Sequence, residues 1–228
     1  MRRAVLALAL LPAALGATPQ EIDSQYVLQR YAVAIETVAV PKATIFTYTV
    51  SQDGPSNIEQ RHVIYRSGLQ VRDETLAVDG VALVRKIVRF EQREDRYSIA
   101  RLAPRTSAYE MLFLRALKDG HHVDYQYDTA PLAQGADAAI DRVTIDGLKY
   151  LPKEVRFTTV AGGARGQAVI DYAPFGKYWM PVLAQVTAVV DGKPARERIV
   201  WSDYRFPQSL PPSTFQAPEP LPETIPSP

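Results

Sequence analysis

Apolar and polar side chains alternate cleanly from Thr44 to Val50. Phe46, Tyr48 and Val50 fall on one face, and Ile45, Thr47 and Thr49 on the other. That is the pattern of a half-buried strand. Further strands are predicted over Ile58–Tyr65, Leu69–Val78, Val81–Phe90 and Tyr97–Leu102. Turns are expected at Asp53-Gly54-Pro55, Ser67-Gly68 and Asp79-Gly80, the last a strong hairpin signal. Val81–Phe90 is apolar on both faces, with Arg85, Lys86 and Arg89 interspersed. Helical spacing appears before this region. Ile22, Tyr26, Arg30 and Val33 share one stripe, and Val27, Tyr31 and Ala34 another, which predicts a helix over Pro19–Val40 stopped by Pro41. A second helix is predicted over Ser107–Leu117. Ser107 and Glu110 form a capping box there, Met111-Leu112-Phe113-Leu114 is apolar, and Gly120 is a fitting stop. Strands return at Val123–Tyr127 and Ile140–Ile145.

From Asp146 to Phe215 a strand–hairpin–strand unit is written twice, with a period of about 30 residues. The first copy opens Gly147-Leu148-Lys149-Tyr150-Leu151-Pro152, turns at Ala161-Gly162-Gly163 and leaves through Asp171-Tyr172. The second opens Gly176-Lys177-Tyr178-Trp179-Met180-Pro181, turns at Asp191-Gly192 and leaves through Asp203-Tyr204. Prolines then force an extended path, with Ser213-Thr214-Phe215 as a final anchor. The expectation is an α+β, mainly β fold. One large curved antiparallel sheet of about ten or eleven strands forms an incomplete β-barrel, with an N-terminal helix and a mid-chain helix on its concave face.

Composition adds compartment more than chemistry. The 228 residues carry a net charge of +1 with 22% charged residues. No basic patch or aromatic–basic interleaving suggests nucleic acid. Arg2 and Arg3 precede an apolar run, Ala4–Leu15, too short to span a bilayer, and small residues follow at Ala14-Leu15-Gly16. The organisation expected is a signal peptide at 1–17, one domain at 18–215 and a Pro-rich disordered tail at 216–228. Export to the periplasm or medium follows, with no membrane span after cleavage. There is no cysteine, so no disulfide can form and the core must supply the stability.

Candidate chemistry is sparse. His121-His122 with Asp124 is the one cluster of ligand types, and in a strand His122 and Asp124 share a face. Two ligands do not make a metal site. His62 stands apart and is assigned a structural role. No Gly-x-Ser-x-Gly motif and no thiol nucleophile is present. Asp171 and Asp203 occupy equivalent repeat positions, which suits structure better than a catalytic pair. Gly162-Gly163 lacks the strand-to-helix context of a phosphate loop. No enzymatic activity, no cofactor and no metal are expected.

Tyr150-Leu151-Pro152-Lys153-Glu154-Val155 and Tyr178-Trp179-Met180-Pro181-Val182 resemble the strand openings of the LolA/LolB-like superfamily. Trp201-Ser202-Asp203-Tyr204 and Pro212-Ser213-Thr214-Phe215 resemble its closing strand and tail. These are the outer-membrane lipoprotein-sorting proteins and their relatives. The resemblance implies a non-enzymatic carrier whose open barrel holds a lipid, an acyl chain or another hydrophobic ligand. Phe46, Tyr48, Val50, Ile64, Val84, Val88, Phe157, Ile170 and Val186 are the candidate cavity-lining positions, with Met111 and Phe113 in a lid. The alternative is an envelope sensor or regulator that binds an envelope protein with the same fold. A third class is a hydrolase with a dispersed site. A deep apolar pocket favours the ligand, and a filled core with an exposed apolar patch favours the protein partner.

Overall fold

A computed structural model of the protein describes residues 22–53, 57–95, 98–132, 138–161, 164–190 and 192–217. The expected leader (1–17) lies outside the described residues, as does all but the start of the expected tail. So do Gly54 and Pro55, Gly162 and Gly163, and Asp191.

Helix α1 spans Ser24–Thr37 and stops short of the predicted end at Val40; Pro19, Gln20 and Glu21 of the predicted span lie outside the described residues. Its N-cap is Asp23, whose side chain accepts a hydrogen bond from the Tyr26 amide at 3.0 Å. Four strands follow: β1 (Ala43–Asp53), β2 (Ile58–Ser67), β3 (Gln70–Val78) and β4 (Val81–Gln92). The Asp79-Gly80 turn joining β3 to β4 has positive φ at both residues, as a tight hairpin requires. The other seven strands are β5 (Tyr109–Asp119), β6 (His122–Pro131), β7 (Ala138–Ile145), β8 (Pro152–Ala161), β9 (Ala164–Phe175), β10 (Tyr178–Val190) and β11 (Lys193–Arg205).

Among the described residues these strands form one antiparallel sheet in the order β4-β3-β2-β1-β11-β10-β9-β8-β7-β6-β5. The chain therefore meanders outward from β1 to β4. It crosses to the far edge, then meanders back from β5 until β11 pairs with β1. Strands β4 and β5 are left as the two edges, so the barrel is open. The described residues of the crossover, 93–95 and 98–108, lie over the inner face of the sheet. They include the short helix α2 (Ile99–Leu102), which touches β10, and Pro104, whose carbonyl accepts from the Tyr31 hydroxyl of α1 at 2.7 Å.

Two predicted elements are exchanged. Tyr97–Leu102 is expected as a strand, yet Ile99–Leu102 is helical and buries Ile99. Ser107–Leu117 is expected as a helix, yet Tyr109–Leu117 lies in β5. Gly120, read as a helix stop, sits at φ 57° in the turn that lets β5 pair with β6. Pairing sends Met111 and Phe113 toward the core and leaves Leu112 and Leu114 exposed. The long-range partner overrides a local helical signal, as it commonly does for short apolar runs.

The core lies between α1 and the sheet. Val27, Tyr31 and Ile35 meet Tyr127, Val143, Val155, Ile170 and Ala184, all buried. The doubled hairpins are stitched together, because the Trp179 indole of the second copy donates to the Pro152 carbonyl of the first at 2.6 Å. The C-terminal segment ends in a 3-10 turn at Pro212–Phe215 that lies against β3. There the Arg72 guanidinium donates to the Thr214 carbonyl at 3.3 Å, making the anchor expected from the sequence.

Candidate functional site: an apolar cavity under the crossover

The α1 helix covers only part of the inner face. Alternation along β1 directs Phe46, Tyr48 and Val50 inward. Register places Ile64 beside Phe46, Trp201 beside Tyr48 and Ile199 beside Val50. These residues, with Met180, Pro181 and Tyr204, line a cavity of about 510 Å³ between the sheet and the start of the crossover. Small-molecule sites commonly have volumes of about 300–1,000 Å³. Charged groups gather at the rim: Arg66 from β2, Glu91 from the end of β4, Arg93, Glu94 and Asp95 from the crossover, and Glu197 from β11.

An aromatic cluster closes the end of the cavity near Arg66. The Tyr204 ring lies 5.4 Å from Phe46 and 4.8 Å from Phe175, and its hydroxyl donates to the Pro181 carbonyl at 2.7 Å. Burial, with Asp95 adding to it, pushes the Tyr204 phenol above its ordinary pKa, so it stays neutral and donates. At the opposite end, Gln52 donates to Glu197 at 2.7 Å.

Beside the cavity floor lies a buried polar network absent from the sequence reading. His62 is not isolated. Its Nδ1 is 2.7 Å from Asp73 Oδ1, and its ring stacks on Tyr48 with centroids 4.5 Å apart. The Tyr48 hydroxyl reaches Asp73 at 3.4 Å, and burial followed by the Asp73 charge raises its pKa. Only the pairing β1-β2-β3 brings these three residues together. The outer face of the same strands buries Glu74, held by Arg72 at 2.5 Å and Lys86 at 3.0 Å.

The predicted site residues divide into four groups. Phe46, Tyr48, Val50 and Ile64 line the cavity. Ile170 is fully buried in the core, with Phe157 partly buried against it; Val186 follows on the inner face, paired with Ala168. Met111 lines a separate cleft of about 320 Å³ against Leu28 and Ala32 of α1, while Phe113 packs on Tyr127 with centroids 5.3 Å apart. Neither belongs to a helical lid. Val84 and Val88 are corrections. Asp73, beside Ile64, pairs with Arg89, so Val88, opposite Glu74, faces outward. Val84 is 104% exposed. A strand apolar on both sides gives alternation nothing to choose between, and β4 is an edge. The sequence reading also missed the closing hairpin's share of the wall: Met180, Ile199, Trp201 and Tyr204. The alternation of Ile199 with Trp201 was its visible signal.

His122, Asp124 and Asp146 converge elsewhere. His122 Nε2 is 2.6 Å from Asp124 Oδ1 and 3.5 Å from Asp146 Oδ2. Their other oxygens already accept bonds, Asp124 from Lys153 at 2.9 Å and Asp146 from the Leu148 and Lys149 amides. With a lysine inside the cluster, the arrangement acts as an ionic tie between β6, β8 and the turn between β7 and β8.

No family model matches this sequence, and no curated protein does. Solved structures do. A LolA superfamily protein from Nitrosomonas europaea is 11% identical with a TM-score of 0.44, over 86% of this chain and 99% of that one. A domain assigned as an outer membrane lipoprotein-sorting protein, from Vibrio parahaemolyticus, is 16% identical with a TM-score of 0.46, over 83% and 94%. A DUF1329 family protein from Desulfovibrio piger is 10% identical with a TM-score of 0.48, over 84% and 96%. Among the described residues no helix is long and apolar enough to cross a membrane. At these identities and TM-scores the likeness assigns this chain neither a family nor a role.

Proposed function

We propose that this is an exported, non-enzymatic binding protein that holds a lipid or other acyl-chain ligand in the cavity between β1, β2, β10, β11 and the crossover. The observation that carries the reading is the apolar wall that Phe46, Tyr48, Ile64, Ile199 and Trp201 present on the sheet side of a cavity of about 510 Å³. Each methylene moved from water into such a site contributes about 0.8 kcal/mol, so a chain needs few polar contacts to bind. The test is native mass spectrometry of the protein purified from its own envelope, paired with titration of a fluorescent fatty-acid probe. Co-purified lipid and saturable probe binding are expected, and Val50→Trp, which fills the cavity, should weaken the probe. Neither lipid nor probe binding would end this reading.

A second reading, a sensor or regulator that docks an envelope protein, is favoured by β4. This unpaired edge exposes Val81, Val84 and Ile87 beside Arg85 and Arg89. Loss of an envelope partner on replacing Val84 and Ile87 with serine, with probe binding unchanged, would support it.

A further inference from the structure

The cavity has two unlike ends, and one holds a cation. Arg66 follows Ile64 on the inner face of β2, pairs with Thr44, and reaches the cavity near Phe46 and Tyr204. Among the described residues its one hydrogen bond is donated by Nη1 to the Arg93 carbonyl at 3.0 Å, and it makes no ion pair. A guanidinium carries five N–H donors. Its neighbours are already engaged. Glu91 pairs with Arg93 at 3.2 Å and Glu94 with Arg101 at 3.2 Å, while Asp95 accepts from the Ser98 amide at 3.0 Å. Burial lowers the Arg66 pKa, Asp95 works against this and Arg93 adds to it. The group is thus a partly desolvated cation whose hydrogen-bonding capacity is mostly unspent, at the end of an apolar channel.

We infer that Arg66 binds the anionic headgroup, carboxylate or phosphate, of an amphiphile whose chain lies along Phe46, Tyr48, Trp201 and Ile199. A planar guanidinium matches the two oxygens of either group through paired bonds, which a lysine ammonium cannot do. The rows from Phe46 to Gln52 span about 20 Å at ~3.4 Å per residue, so a long chain runs from the cation toward the Glu197 end. Carboxylates stand at both ends, but among the described residues Glu197 has the neutral Gln52 amide against it and no cation, so an anionic headgroup is favoured at the Arg66 end. The inference rests on the cavity being the ligand site.

The experiment displaces a neutral naphthylamine probe from the full protein with oleate, oleyl alcohol, oleylamine and hexadecyl phosphate, with acetate and inorganic phosphate as chain-free anions. Oleate and hexadecyl phosphate should bind about ten-fold or more tightly than the alcohol, with the amine weakest. Acetate and phosphate alone should not compete. Arg66→Gln should abolish the preference for oleate over the alcohol, while Arg66→Lys keeps part of it. Equal binding of oleate and alcohol to the unaltered protein overturns the inference, even if Arg66→Gln fails to fold. So does an unchanged preference in a folded Arg66→Gln, or displacement by acetate or phosphate at oleate concentrations. If the neutral probe and the alcohol do not bind at all, the cavity reading itself fails and this inference falls with it.

Discussion

Trp201 shows how one side chain serves both fold and site. It is 7% exposed, belongs to the buried core and also forms cavity wall. Trp201→Ala should lower unfolding free energy by about 3–5 kcal/mol, measured by urea denaturation. A variant with an unchanged midpoint would mean that the ring is solvated. Gly147 illustrates a different constraint. A Cβ at that position would overlap the Val123 carbonyl, so the Asp146–Tyr150 turn can press against β6 only with glycine there. Gly147→Ala should cost about 1–3 kcal/mol by the same measurement. Sequence spacing does not show that constraint, since it marks Gly147 only as the start of the first repeat's opening. Tyr150, three residues on, takes φ 55°, an uncommon value for a residue with a side chain. The equivalence of Asp171 and Asp203 has a physical basis too. Both lie where the ladder slips, Asp171 opposite the shift between Pro181 and Leu183, and Asp203 at φ 56° in the shift between β11 and β1.

At the scale of elements, cross-strand pairing decides which charges meet. Asp171 on β9 sits directly opposite Glu154 on β8. Burial first, and Glu154 second, raise the Asp171 pKa, with Lys153 partly offsetting them. A carboxyl with a raised folded pKa binds its proton more tightly in the native state. Its effect on stability is therefore absent below the unfolded value, near 3.8, and grows as a penalty while pH rises through the folded pKa. Asp171→Asn should accordingly gain stability over the unaltered protein at neutral pH, with the difference vanishing toward pH 3. Melting temperatures across that range check the sign, and a difference that widened on acidification would refute it. The same scale explains the exchanged helix and strand. Ser107–Leu117 has a capping box and a run of apolar residues, which serve a buried helix or a paired strand equally well. The tight Gly120 turn and the β6 partner decided between them, and neither helix propensity nor periodicity contains that partner.

For the whole molecule, the decisive event is the crossover. The first four strands finish at one edge and the last seven begin at the other, and residues 93–95 and 98–108 of the connection lie over the inner face. This chain path, with α1 beside it, turns an open sheet into a container. A ligand bound there stabilises only the folded state. Saturation to about 100 times Kd should raise unfolding free energy by about 2.7 kcal/mol, read as an upward shift in Tm with oleate. No shift under saturating oleate would count against the cavity as the binding site. The uncovered edge β4 is the feature that such a container leaves unexplained. Its apolar and basic residues lie on a strand with free backbone groups, the setting in which strands recruit partners.

Local physics sufficed for much of this. Alternation identified most of the strands, glycine and aspartate placed the turns, and the heptad-like stripe of Val27 and Tyr31 marked α1. The repeated openings and exits delimited the closing hairpins. The motif resemblance pointed to the open sheet. These features depend on residues within a few positions of one another, and sequence spacing records them directly. Which strands become neighbours is a different matter. The closure of β11 on β1, the convergence of His62 with Asp73 and Tyr48, the outward turn of Val88 and the placing of Arg66 at a cavity end all join residues far apart in the chain. They depend on register across a sheet in which a slip of one residue reverses every side chain, and only the folded structure sets that register.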